Sequence, residues 1–443
     1  MNPWLGITLL AGTLAALMAG LHLFQQRMQP HPEVVRKLFH VLMGLATLAL
    51  PWLFDAAWPV LFLSGSTVAL LGFVKRSRLR GGVGQILDGV ERTSLGELYF
   101  PVAVSAVFVL SKGDPILFCI PILILTLSDA GAALIGIRYG SLHYGAAEET
   151  KSIEGSVAFF LTTFVSVIVS LLLFTDIGRP ETVLIALLLG LLAMMLEAVA
   201  WSGLDNLFIP LGGFLLLETY LGMNHTALLT NALVVILLMG FVVVWRRRTR
   251  MDSGAIIGAV LTGYLIWATV GWLWMLAPLI LFVSYSMFLP PSRSDATHKR
   301  RLQTVQSVAS ATTPGLLWLL LAETANEPAF LFPYTLTFAT YLAIIGITRV
   351  RYRTQRPVRK YLVLESIFVG WVLLFVPFVV VSGLTVRSLL LASVAILVVV
   401  AASWVFYYVQ PGLDRHLGAK RWLWQSGIAT VMSSLGLIPL YLV

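Results

Sequence analysis

Five short constellations in this chain carry groups that do chemistry, and all lie in its first half. The densest runs from Ser128 to Ser156. It holds Asp129, two glycines four apart (Gly136 and Gly140), and then Lys151, Ser152, Glu154, Gly155 and Ser156. An ionisable side chain inside an apolar run costs a few kcal/mol, so Asp129 reads as a functional group by default. Gly136 and Gly140 leave one helix face bare and permit close backbone approach. A lysine and hydroxyls at a helix N-terminus make a ready phosphate site. Glu154 can hold a divalent cation, which takes oxygen ligands and bridges phosphates. The bland counterparts are a helix-packing motif with one tolerated acid, and an ordinary helix cap at Ser152.

The other constellations are sparser. In Arg36-Lys37-Leu38-Phe39-His40, Arg36 and His40 are four apart, share a helical face and can reach a phosphate. The same run also serves as the basic flank of a span. Thr93-Ser94-Leu95-Gly96-Glu97-Leu98-Tyr99-Phe100-Pro101 places Glu97 at the start of a short span that Pro101 would perturb. Glu97 reads as a metal-associated carboxylate or as a glutamate favoured there by the helix dipole. Glu197 lies in a later apolar run and is followed by Asp205, Asn206 and Pro210. Asp-Asn also makes good turns.

The elements that must position these groups are membrane helices. The 443-residue chain is 58% hydrophobic and only 12% charged, where soluble domains carry about 25% charged residues. Its mean hydropathy is +0.89. Apolar runs recur from end to end, long enough or nearly so to cross a hydrocarbon core about 30 Å thick. They do not alternate as barrel strands do, so helices are expected. The fold class is therefore all-α, a polytopic membrane protein. Spans are expected near 5–24, 38–54, 58–74, 95–110, 116–137, 157–174, 183–200 and 207–221. A second set lies near 227–245, 255–270, 272–289, 308–322, 330–347, 362–381, 389–408 and 422–442. That makes about sixteen helices in two halves. The first is read as a retained helix, because it lacks a basic leading region and a small-residue cleavage site. Cys119 is the single cysteine, so neither an internal disulfide nor a cysteine metal cluster can form.

Orientation follows from lysine and arginine. Of the 30 basic residues, all but Lys112, Arg179 and Arg387 fall in alternate loops. By the positive-inside rule those loops are cytoplasmic and both termini lie outside. The net charge of +9 then reflects topology and contact with anionic headgroups, not nucleic-acid binding. All five constellations fall at or near the cytoplasmic face. The sharpest composition shift is at Arg246–Arg250, which places a boundary near 225–250 and divides the chain into 1–225 and 226–443.

At these residues the chain resembles the CTP-dependent lipid-alcohol kinases, the group of dolichol kinase, phytol kinase and yeast-type diacylglycerol kinase. That group is related to the CTP:phosphatidate cytidylyltransferases. The resemblance covers roughly residues 30–222 and rests on RKLFH (36–40), GELYFP (96–101), SDAGAALIGIRYG (128–140), KSIEGS (151–156) and DNLFIP (205–210). Ser152 departs from the threonine usual after the lysine but keeps a hydroxyl. The resemblance implies CTP as phosphoryl donor, Mg²⁺ and a lipid alcohol acceptor. It assigns Lys151 to the β- and γ-phosphates with Ser152, Gly155 and Ser156 beside it. Asp129, Glu154 and Glu97 become metal carboxylates. Asp205 orients the lipid hydroxyl, and Arg36, Lys37, His40, Gly136, Gly140 and Asn206 serve nucleotide binding. The lipid tail lies between helices.

The second half is faintly similar to the phytyl-phosphate kinase family, from Ser253-Gly254-Ala255 to Gln303 and Gln306. It shows no acidic cluster in its later spans, and is expected to be structural, lipid-binding or a degenerate relative. The expected activity is phosphorylation of a lipid alcohol by CTP. The alternatives are a cytidylyltransferase making a CDP-lipid and a lipid transporter. A transporter calls for paired broken helices with sites near the midplane, whereas the polar groups here cluster at one face of one half.

Overall fold

A computed structural model describes residues 2–30, 32–76, 95–146, 149–245, 251–288, 304–354, 360–413 and 419–442. Thr93, Ser94, Arg78, Arg80, Arg92, the basic run at Arg246–Arg250, Arg293, Lys299–Arg301, Gln303, Arg356, Arg359 and Arg415 lie outside the described residues. The chain forms two compact units, Met1–Gly240 and Phe241–Val443.

The protein is all-α and polytopic. Among the described residues, twelve helices are long and apolar enough to cross a membrane, and two more, Trp58–Phe73 and Gly96–Leu110, are apolar but shorter. Each of the sixteen expected stretches contains helix. The count of twelve differs because several are too short. Asp205–Leu221 has 17 residues and Leu276–Phe288 has 13. At 1.5 Å per residue these reach about 26 and 20 Å, less than the hydrocarbon core.

The first unit runs α1 (Pro3–Met28), α2 (Pro32–Thr47), α3 (Leu50–Leu53), α4 (Trp58–Arg76), α5 (Gly96–Leu110) and α6 (Pro115–Leu123). A π-helical turn, Ile124–Ser128, joins α6 without a break to α7 (Asp129–Tyr139). Then come strands β1 (His143–Ala146) and β2 (Glu149–Ser152), α8 (Ile153–Phe174), α9 (Arg179–Val199), α10 (Asp205–Leu221) and α11 (His225–Trp245), in which the division between units falls. The segment between Gly140 and Lys151 reads from sequence as a polar loop, and it forms an antiparallel hairpin pairing Tyr144 with Lys151.

Two helical stretches form the centre. In Pro115–Tyr139 and Arg179–Val199, 61% of the apolar window is buried, against 11% in Pro3–Met28. The α1 helix is therefore peripheral, and the acids of this unit's core must come from the central pair. Phe118, Ile120, Ile122 and Leu125 of the first stretch and Leu188 and Leu192 of the second are almost completely enclosed, and Phe118 packs edge-on against Phe108 with centroids 5.7 Å apart. Pro101 sits inside α5 without ending it, and its carbonyl accepts a 2.7 Å bond from Ser64 Oγ.

The second unit comprises α12 (Ser253–Val270), α13 (Leu276–Phe288), α14 (Val305–Thr324), α15 (Leu331–Thr354), α16 (Lys360–Ser382), α17 (Val386–Leu413), α18 (Ala419–Ser434) and α19 (Leu437–Leu442). The α15 helix is its buried axis, with Tyr334, Phe338, Ala343 and Ile347 fully enclosed. Phe332, Phe375 and Phe378 form an edge-packed trio with centroids 5.5–5.9 Å apart.

Candidate active site

The site begins where α2 crosses the π-turn. Gly44 permits the crossing, since a Cβ there would stand 2.0 Å from Thr126 Oγ1. Lys37 and His40 lie seven and four residues earlier, so all three share one helical face. Lys37 Nζ donates to both oxygens of Asp129, at 2.8 Å to Oδ1 and 2.6 Å to Oδ2. His40 Nε2 is 3.8 Å from Oδ2. Both partners of the ion pair are buried. Arg36 is exposed, though its charge still acts on Asp129.

The π-turn decides where Asp129 points. One extra residue in the turn rotates everything after it by about 100° relative to an uninterrupted α-helix. The same turn presents the Leu125 backbone to the His40 ring and buries Ser128, which accepts a 2.9 Å bond from Thr163 Oγ1 of α8. Single-turn π insertions recur at functional sites.

A second pair, of the half-buried Lys151 and the buried Glu197, joins the hairpin to α9. Lys151 Nζ lies 2.6 Å from Glu197 Oε1 and also donates to the Glu197 backbone carbonyl. Burial works against the lysine's charge, but the Glu197 carboxylate, and then Asp205, outweigh it and hold the ammonium above its ordinary value. Opposite Lys151, Tyr144 shares a 2.7 Å hydrogen bond with Ser156. Burial first, and then the nearby Glu197 carboxylate, push its phenol up. Glu197 stands out in the sequence as an acid in a membrane span, but its partner is 46 residues away and invisible there.

The third cluster lies along the α7–α8 seam. Ser152 caps α8, accepting from Gly155 N at 3.1 Å. The Glu154 carboxylate turns to the loop after α7, accepting from Ser141 N at 3.1 Å, Leu142 N at 3.2 Å and the Ser141 hydroxyl. Gly136, Gly140 and Gly155 form the seam between α7 and α8: a Cβ on Gly136 or Gly140 would meet Ser152, and one on Gly155 would stand 2.9 Å from the Ala132 carbonyl. Replacing Gly155 by valine should therefore force the seam apart. We expect a loss of roughly 2–3 kcal/mol, measured as a lower thermal unfolding midpoint in lipid nanodiscs.

The remaining candidates surround the turn between α9 and α10. Ser202 (φ 52°) and Gly203 (φ 86°) both take left-handed conformations, which reverses the chain tightly and starts α10 at Asp205. Leu95 N donates to the Ser202 carbonyl at 3.2 Å, so the start of α5, with Glu97 in its first turn, is tied to this turn. Three residues after Glu97, Phe100 packs edge-on against His40, with centroids 5.3 Å apart. Asn206 Nδ2 reaches the Gly203 carbonyl at 3.4 Å, while its Oδ1 is buried with no hydrogen-bond partner among the described residues. The Asp205 charge acts on His40, Lys151 and Glu197 alike.

Two lysine–carboxylate pairs, a histidine and Asp205 thus converge at one end of the first unit. Among the described residues, no group of three or more His, Cys, Asp or Glu stands close enough to hold a metal ion unaided. In the second unit the acids are dispersed. Asp252 caps α12 through Ala255 N at 2.6 Å, Glu327 accepts from Ala329 N at 3.1 Å, and Glu365 is exposed.

The chain is similar to phytol kinase from Synechocystis sp., with 28% identity over 220 residues, covering 48% of this chain and 90% of that protein. No family model matches the chain, and no solved structure matches it.

Proposed function

We propose that this protein is an integral membrane kinase that transfers the γ-phosphate of CTP to the hydroxyl of a long-chain lipid alcohol of the phytol, polyprenol or diacylglycerol type. The observation that carries the reading is the convergence of the buried pair Lys37–Asp129 and the partly buried pair Lys151–Glu197 with Asp205 at one end of a membrane-spanning bundle. Such charges are costly in a span and mark substrate or ion sites. Similarity to phytol kinase over 90% of that protein's length supports the lipid-kinase part. The choice of CTP rests on the five sequence motifs. The site faces the cytoplasm and both termini lie outside, as the lysine and arginine distribution indicates.

Phosphoryl transfer needs positioning and charge neutralisation more than covalent chemistry by the protein. The lipid oxygen forms a bond to the γ-phosphorus, the bridging P–O bond to the β-phosphate breaks, and CDP leaves. Asp205 orients the hydroxyl and takes its proton. Lys151, beside the α8 N-terminus, meets the β- and γ-phosphates, with Ser156 and the Gly155 backbone next to it. Lys37, His40 and Arg36 hold Asp129 and add positive charge. Mg²⁺ bound with a nucleotide takes only one or two carboxylates, the rest being phosphate oxygens and water. The Asp129 carboxylate has the chemistry of that donor set, with Glu97 as the second ligand, and would join it by sharing oxygens now engaged by Lys37. Glu154, engaged by Ser141 and Leu142, fits it only after leaving that loop. When bound, the cation neutralises charge on the phosphate oxygens.

The test uses purified protein in nanodiscs with Mg²⁺, γ-³²P-labelled CTP and a panel of lipid alcohols, with ATP as comparison. Label in a lipid monophosphate and release of CDP are expected. Pyrophosphate released on adding phosphatidate, with no labelled lipid, replaces the kinase by a cytidylyltransferase. Neither product across the panel transfers the weight to lipid movement.

A further inference from the structure

Lys151 is held by a single residue in two ways. Its ammonium meets the Glu197 side chain at 2.6 Å and the Glu197 main-chain carbonyl as well. The α9 helix ends at Val199, so this carbonyl belongs to the last turn, where carbonyls lack helical partners and the helix dipole is negative. The cap N–H of Ala200 also reaches it, at 3.3 Å. The Glu197 side chain and its backbone thus present one compact anionic cradle, inside a membrane span and buried. The other groups that face Lys151 are few. β1 supplies Tyr144, whose hydroxyl is engaged by Ser156, and α10 supplies Asp205, which acts at longer range. The nearest acid on α8, Glu154, is turned to Ser141 and Leu142.

We propose that Glu197 is a positioning residue, which fixes the Lys151 side chain across the hairpin and holds it in the cationic form that an anionic phosphate requires. The cradle is a local property of the two residues. Its use in phosphoryl transfer rests on the kinase reading above. The physical need is clear: a lysine surrounded by apolar helices tends to lose its proton unless an opposite charge is close. Removing Glu197 leaves Asp205, among the described residues, as the carboxylate whose charge still acts on it. The ammonium would also lose its fixed direction, since one methylene-rich side chain has many rotamers and only this anchor.

Two readouts test the idea on the full chain in nanodiscs. The first does not involve activity. Lys151 is labelled with acetic anhydride across pH 6 to 10 and read by mass spectrometry, because only the neutral amine reacts. The wild type should resist labelling up to about pH 10, as should Glu197→Asp, which keeps the carboxylate. In Glu197→Gln the labelling midpoint should fall by about one pH unit or more. Glu197→Ala, which admits water and relieves burial, serves as the second variant and should shift the same way. Superimposed profiles for wild type, Gln and Ala overturn the proposal.

The second readout is lipid phosphorylation from CTP. In Glu197→Gln, the alkaline decline of kcat/KM should begin at lower pH than in the wild type and in Glu197→Asp, by the same interval as the labelling midpoint moves. A parallel, pH-independent loss in all three variants would reduce Glu197 to a structural role and overturn the proposal. A shifted labelling midpoint in a protein whose wild type transfers no phosphate leaves the cradle standing and removes the kinase reading instead.

Discussion

Replacing Asp129 by asparagine should abolish phosphoryl transfer, with a fall in kcat of roughly 10³-fold or more, equivalent to about 4 kcal/mol of transition-state stabilisation. Asparagine keeps the shape and one acceptor oxygen but removes the charge that both Lys37 and a nucleotide-bound cation require. The same change harms the fold, because Lys37 is left buried without its counter-ion, a penalty of about 3–5 kcal/mol when the ammonium stays charged. Stability and chemistry separate in the double variant Lys37→Met with Asp129→Leu. Replacing a buried pair by apolar side chains of similar volume is often neutral or stabilising. That double variant should melt near the wild type in nanodiscs and still show no turnover. Recovery of turnover along with stability would mean that the pair serves the fold alone.

The second large effect is expected at Lys151. Its replacement by methionine removes the cation assigned to the β- and γ-phosphates and leaves the Glu197 carboxylate buried and unpaired. Single-turnover transfer of labelled phosphate should slow by about 10²–10³-fold, the usual loss when one preorganised group is removed from a developing charge. Arginine should not restore it, since its planar fork cannot occupy a cradle built for a compact ammonium. The contribution of the pair to stability has a defined pH dependence. The folded-state value of Lys151 is raised, so the stabilisation is complete below the ordinary lysine value and is lost only as pH climbs through the folded one. The difference in unfolding midpoint between wild type and Lys151→Met should therefore not shrink from pH 6 to 9, and it widens as the unpaired Glu197 of the variant ionises. A difference that collapses within that window would contradict the assignment of the cation.

Several features were legible in the chain. Runs of apolar residues announced helices, and every expected stretch contains one. The number that can span a membrane alone was less legible, because hydropathy is a sum over a window whereas spanning depends on unbroken helical length. Asp129, Lys151 and Glu197 stood out since each is an ionisable group inside or beside an apolar segment, which physical cost makes rare. Ser152 was readable both as a phosphate ligand and as a cap, and in the structure its hydroxyl accepts from the Gly155 amide. The hairpin was hidden, since His143–Ser152 is short and lacks the alternation that marks a half-buried strand.

What the sequence determined by itself was therefore the membrane class, the helical elements and the set of charged groups needing an explanation, because composition and local spacing are enough for these. Which charge meets which was decided only by the tertiary structure. The partners Lys37 and Asp129 are 92 residues apart, and Lys151 and Glu197 are 46 apart. Their meeting depends on the rotation introduced by the π-turn after Pro121, on the close crossing that Gly44 allows, and on the reversal at Ser202–Gly203. Each is a geometric accident of packing that no local preference encodes. Spacing along α2 pairs Arg36 with His40, and the packed helix adds Lys37 to them, because the crossing brings its ammonium within hydrogen-bonding distance of the buried Asp129 carboxylate.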